Sequence, residues 1–193
     1  MTLKLNGSSS GYTAIDAPAA AGSNTLVLPA DNGSNGEFLK TNGSGTLDWS
    51  AAGKILQVLT TATEVATSTQ STSYVDATGM TLSITPTSTS SKIIIVCCGT
   101  ANVIGSTYWG YYTILRGSTD LGNPSNGKGL LGLYSNSSNA DTHTPMTIFY
   151  VDSPNTTSST TYKLQLKVGN GSGYAKFNQQ PQKATFTLLE VGP

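Results

Sequence analysis

Residues 161–168 read TYKLQLKV, and this stretch decides the fold. Leu164, Leu166 and Val168 alternate with Lys163, Gln165 and Lys167. A period of two places the first set on one face of an extended strand and the second on the other, so the segment covers an apolar core with its back to water. Residues 92–103, KIIIVCCGTANV, behave differently, being apolar on both faces through Cys98. Such a strand is either central to a sandwich or has its outer face covered by another copy of the chain, and the sequence leaves both open.

Working outward, short runs rich in Val, Ile, Thr and Tyr, bounded by Gly, Asn, Asp, Ser or Pro, recur at 54–60, 73–78, 80–86, 110–117, 129–135, 145–152, 173–179 and 183–191. Helical periodicity is nearly absent, and this number and spacing of strands predicts an all-β chain ending in a jelly-roll-like β-sandwich over 54–193.

The preceding residues 1–53 have another character. Residues 24–49, NTLVLPADNGSNGEFLKTNGSGTLDW, hold short apolar words separated by Asn-Gly and Gly-Ser-Gly punctuation. TAIDA (13–17) with TLVLP (25–29), and EFLKT (37–41) with TLDWS (46–50), are expected to form two hairpins, the second turned by NGSG. A hairpin buries too little to offset about 1–2 kcal/mol of backbone entropy per residue. Burial then comes from outside the chain, and three copies winding around a common axis would supply it as a short trimeric shaft. A disordered linker is the competing reading, against which the regularly placed Leu and the single Trp49 count.

Composition narrows function. The chain has 193 residues, only 10% of them charged, with ten acidic and ten basic side chains and a formal charge of zero. Arg116 is its only arginine, and the lysines are scattered, so the basic patch of a nucleic-acid binder is missing. The opening MTLKLNGSSS has no apolar core of a signal peptide and no window approaches a membrane span, which predicts synthesis in a cytosol and no membrane insertion. Adjacent Cys97 and Cys98 point to opposite faces of one strand and are expected to be reduced. The Asn-x-Ser/Thr sequons at Asn6, Asn32, Asn42, Asn136, Asn155 and Asn170 follow from composition and are expected to be bare.

No catalytic constellation is legible. His143, the only histidine, lies in NADTHTPM without ligand-spaced partners, the carboxylates are dispersed singly, and GKGLLG (127–132) lacks the strand-turn-helix setting of a nucleotide loop. No enzyme activity, metal or cofactor is expected. Binding has more to stand on: GSTYWGYY (105–112) concentrates Tyr108, Trp109, Tyr111 and Tyr112 between glycines, and Tyr134 and Tyr174 sit beside loops. Aromatic rings give rigid, amphipathic area suited to sugars or a protein surface. If Tyr112 and Ile114 point inward, Trp109 and Tyr111 point outward, toward either a subunit interface or a receptor.

The chain resembles short tail-fibre proteins of marine bacteriophages. The resemblance lies in the leader GYTAIDAPAAAGSNTLVLPADNGSNGEFLKTNGSGTLDW and in STSYVDATGMTLSITPTSTSSKIIIV, ILRGST and FYVDSPNTTSSTTYKLQLKV. The final ATFTLLEVGP is similar to the closing strand of trimeric heads of the complement and tumour-necrosis-factor type. The resemblance implies a homotrimeric virion protein of the phage tail. Residues 1–53 would join other tail or capsid proteins, with Leu3, Leu5, Tyr12 and Ile15 as contacts, and the head would meet a host surface glycan or protein. Tyr108, Trp109, Tyr111, Tyr134 and Tyr174 are the expected receptor-binding residues. A capsid-surface fibre or decoration protein is the nearest alternative, and a fibre-borne glycan-degrading enzyme is the alternative of another class.

Overall fold

The computed structural model describes residues 3–16, 18–20, 22–51, 55–122, 125–137, 143–180 and 182–192. The chain forms two compact units, Met1–Ala52 and Gly53–Pro193.

In the first unit, β1 (Leu3–Asn6) pairs antiparallel with β2 (Tyr12–Ile15), and β3 (Glu37–Thr41) with β4 (Leu47–Ala51). The β3–β4 hairpin is the one the sequence predicts. Its turn is held by Asn42, whose Oδ1 accepts from Ser44 N at 2.8 Å and Thr46 N at 3.2 Å. The first expected hairpin is corrected. TAIDA folds back on LKLN, with Leu3 opposite Ile15, because the Gly7–Gly11 loop closes with a 3.0 Å hydrogen bond from Gly7 N to Gly11 O. TLVLP is no hairpin partner: it makes one parallel bridge, Val27 to Thr46, with Val27 N donating to Gly45 O and Leu47 N to Val27 O. Ala17 lies outside the described residues. None of the described residues of this unit is buried, and Leu3, Leu5, Ile15, Leu26, Leu28, Phe38 and Leu39 are all exposed.

The second unit is an all-β sandwich, as the alternation predicts. Its strands are β5 (Ile55–Thr63), β6 (Thr67–Thr69), β7 (Val75–Ile84), β8 (Lys92–Arg116), β9 (Thr119–Asp120), β10 (Leu131–Ser137), β11 (Thr144–Asp152), β12 (Thr160–Val168), β13 (Tyr174–Phe177) and β14 (Ala184–Val191). Two pairs of expected strands are each one strand here: 73–78 and 80–86 merge in β7, and 92–103 and 110–117 merge in β8.

Strand β8 belongs to both layers. Its first half lies between β14 and β11, with β5 beyond β14, and β13 takes up the β14 side at Ala101–Ile104. Its second half lies between β12 and β10, with β7 beyond β12. Passing from one layer to the other reverses which face meets the core. Ile93, Ile95 and Cys97 are inward in the first half, Tyr112 and Ile114 in the second. The reversal falls near Gly105, whose φ of 136° suits glycine, and a Cβ there would stand 2.0 Å from the Tyr108 ring. Leu164, Leu166 and Val168 of β12 are fully buried, with Phe177, Phe186 and Leu188 packed into the same core. Tyr112 crosses that core: its Oη lies 2.9 Å from Asn102 O and 2.8 Å from Lys176 O, so a residue of the second layer is tied to the first.

KIIIVCC is therefore central to its sheet, and its outer face, Ile94, Val96 and Cys98, remains half-exposed. Cys97 and Cys98 are free thiols on opposite faces, and burial pushes the Cys97 thiol well up from its ordinary value.

Candidate functional site

The outer face of the second layer carries an aromatic platform. Residues i and i+2 of a strand share a face, so Trp109 and Tyr111 of β8 stand side by side there, ring planes within 4° of parallel and centroids 6.1 Å apart. Tyr134 of β10 pairs directly with Trp109 across the sheet, its ring tilted 47° at 5.1 Å. Trp109 and Tyr134 are about half exposed, at 46% and 51%.

Glycines flank the rings. Gly132 of β10 is opposite Tyr111, and Gly169, just after β12, donates its N–H to Trp109 O at 2.8 Å. A Cβ at Gly169 would meet Tyr111 at 3.2 Å and Trp109 Cβ at 3.3 Å; at Gly132 it would touch both rings at 3.4–3.5 Å. Gly132 and Gly169 thus place no side chain over the rings.

On the other side, Lys167 of β12 pairs with Tyr111. Its Nζ lies 4.5 Å from the Tyr74 ring centroid and 5.9 Å from that of Tyr111, both within cation–π range. Tyr74 Oη donates to Gly127 O at 3.2 Å, and burial, reinforced by the nearby Asp120 and Tyr111, pushes its phenol far up. Asp120 is engaged locally, accepting from Thr113 Oγ1 and from Gly122 N at 2.9 Å.

Of the expected receptor residues, the structure brings Trp109, Tyr111 and Tyr134 together. Tyr108 is turned onto Gly105 and Gly173, half-buried and apart from the platform rings. Tyr174 pairs with Ile104 in the first layer, exposed at 41%, with Lys176 Nζ 5.9 Å from its ring. Lys167, Tyr74, Gly132 and Gly169 carry no sequence signal that marks them as site residues. The alternation of TYKLQLKV does put Lys167 on the outer face, but which ring it meets depends on cross-strand register.

In the first unit the expected attachment residues divide between two faces. Leu3, Leu5 and Ile15 share one face of β1–β2, whereas Tyr12 is on the other, opposite Asn6, with Lys4 Nζ 4.5 Å from its ring.

Several carboxylates serve the fold. Asp152 is bound by Arg116 Nη1 at 2.9 and 3.0 Å and by Tyr162 Oη at 2.6 Å; Asp76 meets Lys163 and Gln165; Glu190 is held by Gln57 and Thr87. GKGLLG leads from a turn at Gly127 into β10, and a Cβ at its Gly129, at φ 70°, would stand 2.5 Å from Tyr112 O. His143 is half-buried with Gln180 Nε2 3.5 Å from its Nε2, and no group of three metal-ligating side chains occurs among the described residues.

The geometry defines an all-β sandwich whose second layer carries a cluster of aromatic rings on its outer face. No protein-family profile matches the chain, and no curated protein matches it. Among solved structures it is similar to those of infectious bursal disease virus. For the Gt strain the identity is 12% over 98% of this chain and 46% of that one, with a TM-score of 0.39. For the VP2 subviral particle the values are 13%, 76%, 40% and 0.35, and for the Gx strain 13%, 97%, 45% and 0.36. The chain spans less than half the length of each of these.

Proposed function

We propose that this chain is a structural, adhesive virion protein: a homotrimeric phage tail fibre whose first unit joins the particle and whose sandwich meets the host cell surface. The observation that carries this reading is the contrast between the two outer faces of the sandwich. On the first layer Val58, Leu189, Ile94 and Val151 stand in register across four strands, and Thr60, Thr187, Val96 and Phe149 form the next row. Neither row contains a charge, and Val58, Val151 and Phe149 are exposed. The second layer's outer face instead carries the rings with Lys163, Gln165, Lys167 and Asp76. One face suits contact between copies; the other suits contact with a polar, ring-bearing ligand.

The first unit agrees with this reading, because its apolar side chains have no burial within one chain. Attachment is assigned to Leu3, Leu5 and Ile15 on their shared hairpin face. Host contact is assigned to Trp109, Tyr111 and Tyr134, acting by avidity across three copies and many fibres.

Antibodies against the purified chain, located on intact particles by electron microscopy, test the assignment. Label at the tail is expected. Label over the capsid shell would replace the tail fibre by a capsid-surface protein, and absence from purified virions would overturn the virion role. Host contact is tested by Trp109→Ala, expected to weaken adsorption at least tenfold while the melting temperature moves by only a few degrees, since a stacking ring contributes about 1–3 kcal/mol and an exposed one little to the core. A large loss of stability, with adsorption following the folded fraction, would show a structural ring instead.

A further inference from the structure

We infer that the aromatic platform takes an acidic saccharide, with Lys167 meeting its carboxylate or sulfate group; this rests on the host-contact reading above. The rings supply half of the argument. Trp109, Tyr111 and Tyr134 form an aromatic cluster flanked by Gly132 and Gly169, with Trp109 and Tyr134 about half exposed and Tyr111 partly so, which leaves ring surface for the C–H face of a sugar.

The charges supply the other half. Arg116 is committed to Asp152 at 2.9 Å, and Lys163, on the same face of β12 as Lys167, is committed to Asp76 at 3.0 Å. Lys167 has no carboxylate within ion-pair distance among the described residues, and its ammonium is held instead over the Tyr74 ring, beside Tyr111. Both ring contacts leave the ammonium's hydrogen-bonding capacity unspent, since a π face is a weak acceptor. An anion carried on a sugar stacked at Tyr111 would satisfy it with a charge-assisted hydrogen bond. One cation is enough to choose an acidic monosaccharide unit over a neutral one. It is too few for a phosphate backbone, which requires several neutralising side chains along its track.

The test measures binding of the full chain to polygalacturonate, to dextran sulfate and to neutral dextran at low and high salt. Wild-type protein is expected to bind at least one of the acidic polymers about tenfold more tightly than dextran, and to lose that advantage as salt screens the pair. Lys167→Gln should abolish the preference with an unchanged melt, Lys167→Arg should retain most of it, and Trp109→Ala should weaken acidic and neutral polymers alike. Equal binding of acidic and neutral polymers, a preference that survives Lys167→Gln, or no saccharide binding at all would overturn the inference. So would a Lys167-dependent affinity for single-stranded oligonucleotide without one for either acidic polymer. The host-contact reading fails separately, if Trp109→Ala adsorbs to cells normally.

Discussion

Glu190 shows how single residues of this fold are fixed by what they can accept. It lies on β14 with no solvent exposure, and its carboxylate receives Gln57 Nε2 at 2.6 Å, Thr87 N at 2.7 Å and Thr87 Oγ1 at 2.7 Å. Burial alone would raise its pKa, but the hydrogen bonds from Thr87 and Gln57 outweigh burial and hold it below the ordinary 4.5. A depressed folded-state value adds stability that is complete above the unfolded value and is lost as pH falls through the folded one. Acid melts of the wild type should therefore show a loss beginning below about pH 4.5. In Glu190→Gln the amide turns an N–H toward a group of donors, which leaves buried hydrogens unmatched at a cost of about 1–3 kcal/mol. The variant should melt several degrees lower at neutral pH and depend less on acid. An unchanged neutral-pH melt would mean that the carboxylate is dispensable there.

At the scale of the element, β12 was legible and β8 was not, and glycine is the reason. The alternation in TYKLQLKV holds by face: Leu164, Leu166 and Val168 are buried in the core and Lys163 and Lys167 face outward, whereas Gln165, on the outer face with them, is buried and held to Asp76 at 2.5 Å. In β7 and β8 the sequence suggests breaks where the strand continues. Gly79 and Gly110 read as punctuation at the edges of expected strands, yet each lies inside a strand and makes room for a packed side chain, as does Gly99 within its run. A Cβ at Gly99 would stand 2.6 Å from Phe177, one at Gly110 2.4 Å from Val103, and one at Gly79 2.7 Å from Thr63. A single sequence cannot separate a glycine that turns the chain from one that lets another residue approach. The same limit governs the platform: the outward direction of Trp109 and Tyr111 follows from parity, but their meeting with Tyr134 and Lys167 is a matter of register between distant strands. Gly105 combines both glycine roles, with positive φ and the Tyr108 ring against it. Gly105→Val should accordingly destabilise the sandwich by about 2 kcal/mol or more and disturb the near-ultraviolet signal of the adjoining aromatics, as read by circular dichroism. Wild-type stability in that variant would show that β8 can change layers without a glycine.

For the whole molecule, the proposed trimer requires a certain amount of shared surface. The uncharged outer face of the first layer spans four strands about 4.8 Å apart and some seven residues of about 3.4 Å rise, roughly 400 Å². That is within the range of the largest apolar patch on a lone domain, and about half of the roughly 800 Å² per partner of a standard interface. The sandwich face therefore accounts for only part of a stable assembly. The remaining apolar surface is in the first unit, where Leu26, Leu28, Phe38 and Leu39 are 66%, 68%, 45% and 43% exposed. Because each unit would provide an insufficient share, weakening one should make the proposed trimer dissociate on dilution without destroying it outright. Phe149, at 64% exposure on β11, is the most prominent ring of the sandwich face. Phe149→Lys would place three like charges at the interface of the proposed trimer, so light scattering should give about three times the monomer mass at high concentration and approach the monomer mass at low micromolar concentration. Trp109→Ala, on the opposite face, should keep the full mass throughout. A Phe149→Lys protein that stays trimeric on dilution would remove this face from the interface and leave the first unit to hold the copies together.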